Sequence, residues 1–243
     1  MELISQLNVK YIYLYFYTDS IGFPRENQSP AITWPFLLTE KLEKTFKVKV
    51  YTYIRGIGGG TITEIEKIFD RDRGYLKPEG QHSISFSIFN VGVVDAAPRP
   101  FTYHLRLLAR VPIIGVSCWA FISKILHKHK IVLSKLYSFN LTNPVKFKSS
   151  FNRMVAQSLV DGIISISIDT PLTPLILEYR APGLRKSIAF FNSIKHLNTS
   201  ALHVSTDWVK DQHYVADGHH LNDLGHFKLA EHIYMRIERV LID

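Results

Sequence analysis

The sequence predicts a three-layer α/β/α sandwich built on a mostly parallel, five-stranded sheet. Three observations carry this prediction. Five short segments rich in β-branched and aromatic residues are each bounded by turn formers or polar residues. Segments with helical spacing lie between them. Parallel neighbours need long crossover connections, and helices supply these while covering both faces of the sheet.

The strand segments, in order, are residues 10–17, 48–54, 84–91, 163–168 and 201–204. After the second, Thr61 and Glu64 have capping-box spacing, in which hydroxyl and carboxylate satisfy each other's free backbone donors. A helix is therefore expected just after a glycine loop, with Ile62, Ile65 and Phe69 on one face. At the other end, Ala230, Ile233, Ile237, Val240 and Leu241 recur at helical spacing, with Lys228, Glu231, Arg236 and Glu238 available to face water. The chain should close with an amphipathic helix. Residues 98–147 are mostly helical by pattern but carry no strand that would make a βαβ unit, so they read as a helical insertion after the third strand. With no internal repeat and no low-complexity linker, residues 1–243 read as one domain.

Composition narrows the function classes. A chain of 243 residues that is 46% hydrophobic can build one large core. Its apolar runs, such as 11–17 and 111–122, fall short of the roughly 20 residues needed to cross a bilayer. No membrane span is expected. The N-terminus lacks a basic segment followed by an apolar stretch and a small-residue cleavage site, so the chain as given reads as cytoplasmic. One cysteine, Cys118, excludes an intrachain disulfide and a thiolate metal cage; its apolar neighbours place it in the core. The net charge of +8 is compatible with a nucleic acid, an anionic surface or an acidic substrate. The basic stretch from Lys124 to Lys135 has no aromatic platform and no nucleic-acid motif, so it reads as a solvated face and no nucleic-acid partner is expected. Nothing in the sequence signals an oligomeric state.

In open parallel sheets, ligands bind beyond the carboxyl ends of the strands. Those ends carry Thr18-Asp19-Ser20-Ile21, then Arg55-Gly56-Ile57-Gly58-Gly59-Gly60-Thr61, then Gly92-Val93-Val94-Asp95. A fourth informative segment, running from Asp217 and His220 to Asn222 and Gly225, precedes the last helix. A serine hydroxyl becomes a useful nucleophile when a histidine accepts its proton and a carboxylate orients that histidine. Ser20, His220 and Asp217 supply these three groups. The same segments admit two other readings. The glycine loop could cradle phosphate, but neither the P-loop lysine nor a Gly-x-Gly-x-x-Gly pattern is present. His213, Asp217, His220 and His226 could ligate a metal, but they fit the hydrolytic pattern without it. No metal and no cofactor are called for.

The order and content of these four segments resemble the SGNH (GDSL-type) hydrolase superfamily over about residues 10 to 240. The resemblance assigns Ser20, in a Gly-Asp-Ser-Leu-like context, as nucleophile and Asp217 and His220, in an Asp-x-x-His block, as its partners. The choice of His220 over His219 rests on that block's spacing. Arg55 to Thr61 aligns with the second block and places the Gly59 N–H, beside that of Ser20, as an oxyanion donor. The third block normally reads Gly-x-Asn-Asp, and Val94 stands where its asparagine would donate the third hydrogen bond. Pro24-Arg25, Thr33-Trp34-Pro35 and the run from Gly92 to Arg99 further resemble a bacterial subgroup associated with surface-polysaccharide gene clusters. That implies an acylated carbohydrate as substrate, with Arg25 and Arg99, which follow the first and third blocks, as candidate substrate contacts; the resemblance places Asp95 next to the pocket, where it either serves substrate binding or caps a loop. The arginines are suited to grip a carboxylate or phosphate, or to replace the missing oxyanion donor. Two classes of function follow: an esterase or deacetylase, or an O-acyltransferase using the same acyl-serine; or an SGNH-fold saccharide-binding protein impaired in catalysis by Val94.

Overall fold

The computed structural model describes residues 9–25, 28–75, 82–99, 121–122, 124–125, 128–129, 132 and 139–242. In chain order these form β1 (Tyr11–Thr18), α1 (Trp34–Phe46), β2 (Lys49–Gly56), α2 (Ile62–Arg73), β3 (Ser83–Asn90) and a one-turn helix α3 (Val93–Ala96). There follow β4 (Pro98–Arg99), β5 (Phe139–Asn140), α4 (Pro144–Val160), β6 (Ile164–Ile168), α5 (Leu175–Arg180), α6 (Leu184–His196), β7 (Leu202–Val204) and α7 (Asp223–Ile242). All five expected strands are present, with ends shifted by one or two residues.

The main sheet is all parallel, in the order β2-β1-β3-β6-β7. Alternation along β1 separates two cores. Ile12, Leu14 and Phe16 pack toward α1 and α7 with Trp34, Leu38, Leu229, Ile233 and Ile237. Tyr15 and Tyr17 pack with Ile62, Ile65, Phe69, Phe147, Phe151, Ile188 and Phe191 of α2, α4 and α6. Side chains on successive strand residues point to opposite faces, so a strand apolar on both sides is one covered by helices on both sides. At about 25 cal/mol per Å², each fully buried Phe or Leu contributes on the order of 2 kcal/mol. The helix α2 begins as its sequence requires, with the Thr61 N–H donating to the Glu64 carboxylate at 2.7 Å and Ile62, Ile65 and Phe69 buried.

The expected insertion at 98–147 lies largely outside the described residues, as does Cys118. Its two ends pair with each other, since β4 and β5 form a two-stranded antiparallel ribbon, Pro98 opposite Asn140 and Arg99 opposite Phe139. The two ends of that segment therefore lie side by side. Among the described residues no helix is long and apolar enough to cross a membrane.

The sheet order reverses between β1 and β3: the chain first adds β2 on one side of β1, then β3 on the other. Such a switch point opens a crevice beyond the strand ends, because the connections on either side diverge to opposite faces. Thr18 at the end of β1 is in register with Gly56 on β2 and Asn90 on β3, so the loops after these three strands meet at one rim.

Candidate active site

Ser20 stands two residues beyond the buried end of β1. The Asp19 carboxylate accepts the Ile21 N–H at 3.0 Å and caps a single 3-10 turn, Ser20–Gly22, that reverses the chain. Gly22 is required there by close approach, since a Cβ would lie 2.5 Å from Thr18 Oγ1. Asp19 is fully buried, and burial raises its carboxyl to about 7 against the downward pull of the Ile21 amide. Ser20 thus rests on a tight, buried turn.

The partner residues arrive on the loop before α7. Tyr214 and Leu221 form an isolated antiparallel bridge, and the Val215 N–H bonds the His220 carbonyl at 2.9 Å, closing the loop on itself. Asn222 ties it to the chain behind, donating to the Gln212 carbonyl at 2.8 Å while its own carbonyl oxygen accepts from Gly225 N–H at 3.0 Å. In this frame Asp217 Oδ2 lies 2.6 Å from His220 Nδ1, and His220 Nε2 lies 2.9 Å from Ser20 Oγ. Asp217 Oδ1 also accepts the backbone N–H groups of His219 and His220, at 2.9 and 3.0 Å.

These contacts define the protonation states. Partial burial pushes Asp217 up, but the hydrogen bonds from His219 and His220 outweigh it and hold the carboxyl below its ordinary value. Burial lowers His220 to about 4, with the Asp217 bond opposing and the nearby His219 and Arg25 adding to the shift. At neutral pH the ring is uncharged, with Nδ1–H on the carboxylate and a lone pair on Nε2 facing Ser20. That is the tautomer of a general base.

A cavity of about 540 Å³ opens over this pair, lined by Ser20, Arg25, Gly58, Gly59, Val93, Val94, Ala97, Leu177, Leu184, His219 and His220. Gly59 lines it in a left-handed conformation, φ +74°, inside a turn closed by the Gly60 N–H on the Ile57 carbonyl at 2.9 Å. There is open space where its Cβ would be, so the backbone angle is what calls for glycine. Val94, on the first turn of α3, presents a hydrocarbon wall to the same cavity.

The three other expected binding residues separate. Arg25 lines the cavity, and its Nη2 contacts His220 Nε2 directly. Its backbone N–H donates to Gln28 Oε1 at 2.8 Å, and the Gln28 amide donates to Asp223 at 3.0 Å, which ties this loop to the histidine segment. Asp95, expected beside the substrate, is instead fully buried: both its oxygens lie 3.1 Å from the Ile62 N–H, and Thr142 Oγ1 donates to it. It braces the start of α2 against α3 and touches no part of the cavity, because a carboxylate that caps a buried helix start is consumed by that task. Burial raises it to about 6. The Arg99 backbone pairs in the β4–β5 ribbon, and its side chain lies outside the described residues.

Of the metal-ligating alternative, only Asp217 and His220 come together. His213 turns its Nδ1 to the Lys210 N–H at 2.8 Å, and His226 Nδ1 faces the Trp34 N–H at 3.4 Å beneath α1. The sequence reading did not find the far wall of the cavity. Leu177 and Leu184 lie after β6 in segments without a motif, and only the fold brings them opposite Ser20. Lys195 was also missed. It is fully buried, with its ammonium donating to the Ile168 carbonyl at 2.7 Å and the Val91 carbonyl at 3.3 Å.

Comparison with solved structures bears on this arrangement. A psychrotrophic esterase from a Pseudoalteromonas species superimposes with a TM-score of 0.57 at 12% identity, covering 96% of this chain and 100% of that one. A lipolytic protein of the G-D-S-L family from Desulfitobacterium hafniense gives 0.53 at 14% identity, covering 93% and 99%. The chain has the SGNH hydrolase fold. An acetyl xylan esterase from Geobacillus stearothermophilus shares it too, with a TM-score of 0.59 at 13% identity over 95% of this chain and 96% of that one. No protein-family model matches the sequence, and no curated protein matches it. Within this fold, 12–14% identity leaves chemistry to be argued from the site itself.

Proposed function

We propose that the chain is a serine-dependent ester hydrolase that acts on an acylated carbohydrate. The observation that carries this reading is the continuous relay from Ser20 Oγ through His220 to Asp217, at 2.9 and 2.6 Å, on the floor of an open cavity. In the first step Ser20 Oγ attacks the ester carbonyl and its proton passes to His220 Nε2. Asp217 stabilises the imidazolium, and the negative charge grows on the former carbonyl oxygen. The N–H groups of Ser20 and Gly59 are the donors nearest that charge. Collapse of the intermediate expels the sugar alkoxide, which takes the proton from His220 and leaves an acyl-serine. Water, deprotonated by the same histidine, then releases the acid. A sugar hydroxyl in place of water would make the same intermediate a transferase, and the relay serves either acceptor.

Arg25 completes the reading. Its charge at the cavity mouth suits a substrate that carries a carboxylate or phosphate near the ester, and it stands close enough to His220 to assist the oxyanion in place of the amide that Val94 lacks. A carbohydrate ester is supported by the acetyl xylan esterases among the structures that share the fold.

The test is hydrolysis of p-nitrophenyl acetate by the wild-type chain and by Ser20→Ala, each also treated with a fluorophosphonate and read by peptide mass spectrometry. Wild-type turnover with the label on Ser20, both lost in the variant, is the expected result. A folded wild-type chain that neither turns over nor labels, or one that labels at another residue, would refute it.

A further inference from the structure

We propose that Asp169, His196 and His203 form a binding site for a divalent transition-metal ion of the zinc class, separate from the serine site. The three residues come from different elements. Asp169 directly follows β6, His196 ends α6 and His203 lies within β7. One ligand atom from each lies within 4.8 Å of the others. Tetrahedral zinc with bonds of about 2.0–2.1 Å separates its ligands by roughly 3.3 Å, so small side-chain rotations close the site.

The hydrogen bonds prepare the ligands. His203 Nε2 faces the Asn198 carbonyl at 2.9 Å, which fixes the proton on that nitrogen and leaves the lone pair on Nδ1. That Nδ1 is buried and has no hydrogen-bond partner among the described residues. A backbone carbonyl that sets the tautomer of a histidine is the usual outer-shell support of a metal ligand. His196 Nε2 sits 2.8 and 3.0 Å from the two Asp169 oxygens, and the two imidazole rings approach to 4.6 Å between centroids. The Asp169 backbone is held in place, its N–H on the Val204 carbonyl at 3.0 Å, and Asn192 brackets the next residue through two hydrogen bonds.

The donor set of two imidazoles and a carboxylate matches a borderline ion rather than calcium or magnesium. Entry of the ion displaces the proton that His196 Nε2 shares with Asp169, and that proton leaves to solvent. The Asp169 side chain is 8% exposed while that of His196 is 49% exposed, so the ion has a path in and a fourth position for water. The Lys195 ammonium interacts with the Asp169 carboxylate from the buried side. Its charge opposes the ion and weakens its binding.

The experiment is calorimetric titration of the chelator-treated full chain with zinc chloride, with cobalt substitution read by visible absorption. One ion per chain is expected, with visible cobalt bands of low-coordinate geometry. Asp169→Asn, which keeps the side-chain shape, and His203→Gln should each weaken binding at least about tenfold while retaining the wild-type circular dichroism. His220→Ala should bind as the wild type does, because the neighbouring cluster of Asp217, His219 and His220 is a separate candidate. Loss of binding in His220→Ala, retention in both other variants, or no binding below about 100 µM zinc would overturn the proposal.

Discussion

Replacing Val94 with asparagine should accelerate ester cleavage. Val94 lies on the first turn of α3 and lines the cavity together with Ser20 and Gly59, whose N–H groups are the two oxyanion donors of the proposed mechanism. One such donor is worth about 100- to 1000-fold in kcat, or roughly 2.7–4 kcal/mol, when it is fully preorganised. An amide installed on this hydrocarbon wall would not be fully preorganised, so about half of that free energy should be realised. Half is roughly 1.4–2 kcal/mol, which converts to about 10- to 30-fold in kcat. The gain should appear in kcat with KM nearly unchanged, because the hydrogen bond strengthens as charge develops and does little for the ground state. The assay is steady-state hydrolysis of p-nitrophenyl acetate by wild type, Val94→Asn and Val94→Ala. The alanine variant opens the same space without a donor and controls for easier access. If Val94→Asn proves no faster than Val94→Ala, the side chain does not face the oxyanion and the assignment of this wall is wrong.

Three more outcomes follow from the same geometry. Arg25→Met should erase any preference for an ester bearing a carboxylate, such as mono-p-nitrophenyl succinate over p-nitrophenyl acetate, by about 10- to 100-fold in kcat/KM, the range of a charge-assisted hydrogen bond. The neutral ester should be cleaved at least as fast by the variant, since Arg25 no longer competes for the His220 lone pair; an equal loss on both esters would instead make Arg25 an oxyanion donor. The pH profile of kcat/KM should rise through about 4 and stay level to neutrality, because burial depresses His220 to about 4 and the base works only when uncharged; a midpoint near the ordinary imidazole value would mean that the ring is more hydrated than its surroundings indicate. Finally, Lys195→Met should lower stability by about 3 kcal/mol in urea unfolding, since it leaves the Val91 and Ile168 carbonyls and the nearby buried carboxylates without their cation. A loss under about 1 kcal/mol would show that the buried ammonium is dispensable.

The layer architecture was legible because periodicity is local. Alternation and apolar runs in β1, β3 and β6 report burial on both faces, and the Thr61–Glu64 pair marks a helix start without reference to anything distant. Ser20, Asp217 and His220 could be nominated because each sits in a short segment at a strand end or before a helix that resembles a block of the SGNH superfamily. Asp95 shows the limit of that reasoning. Its position after β3 left open whether it serves the cavity or caps the chain, and what its oxygens do depends on Ile62 and Thr142, which are 33 and 47 residues away in sequence.

Sequence alone determined the strands and the bounding helices, because those follow from side-chain type and spacing within a few residues, while Ser20, Asp217 and His220 were singled out by the resemblance of their short segments to the blocks of one hydrolase superfamily. Tertiary structure alone decided that His220 Nε2 meets Ser20 across 200 positions of chain, that Leu177 and Leu184 close the cavity, and that Asp169, His196 and His203 converge. The reason is physical: contacts across a crevice are set by how helices pack on a twisted sheet, a property of the whole core, and no single segment encodes it.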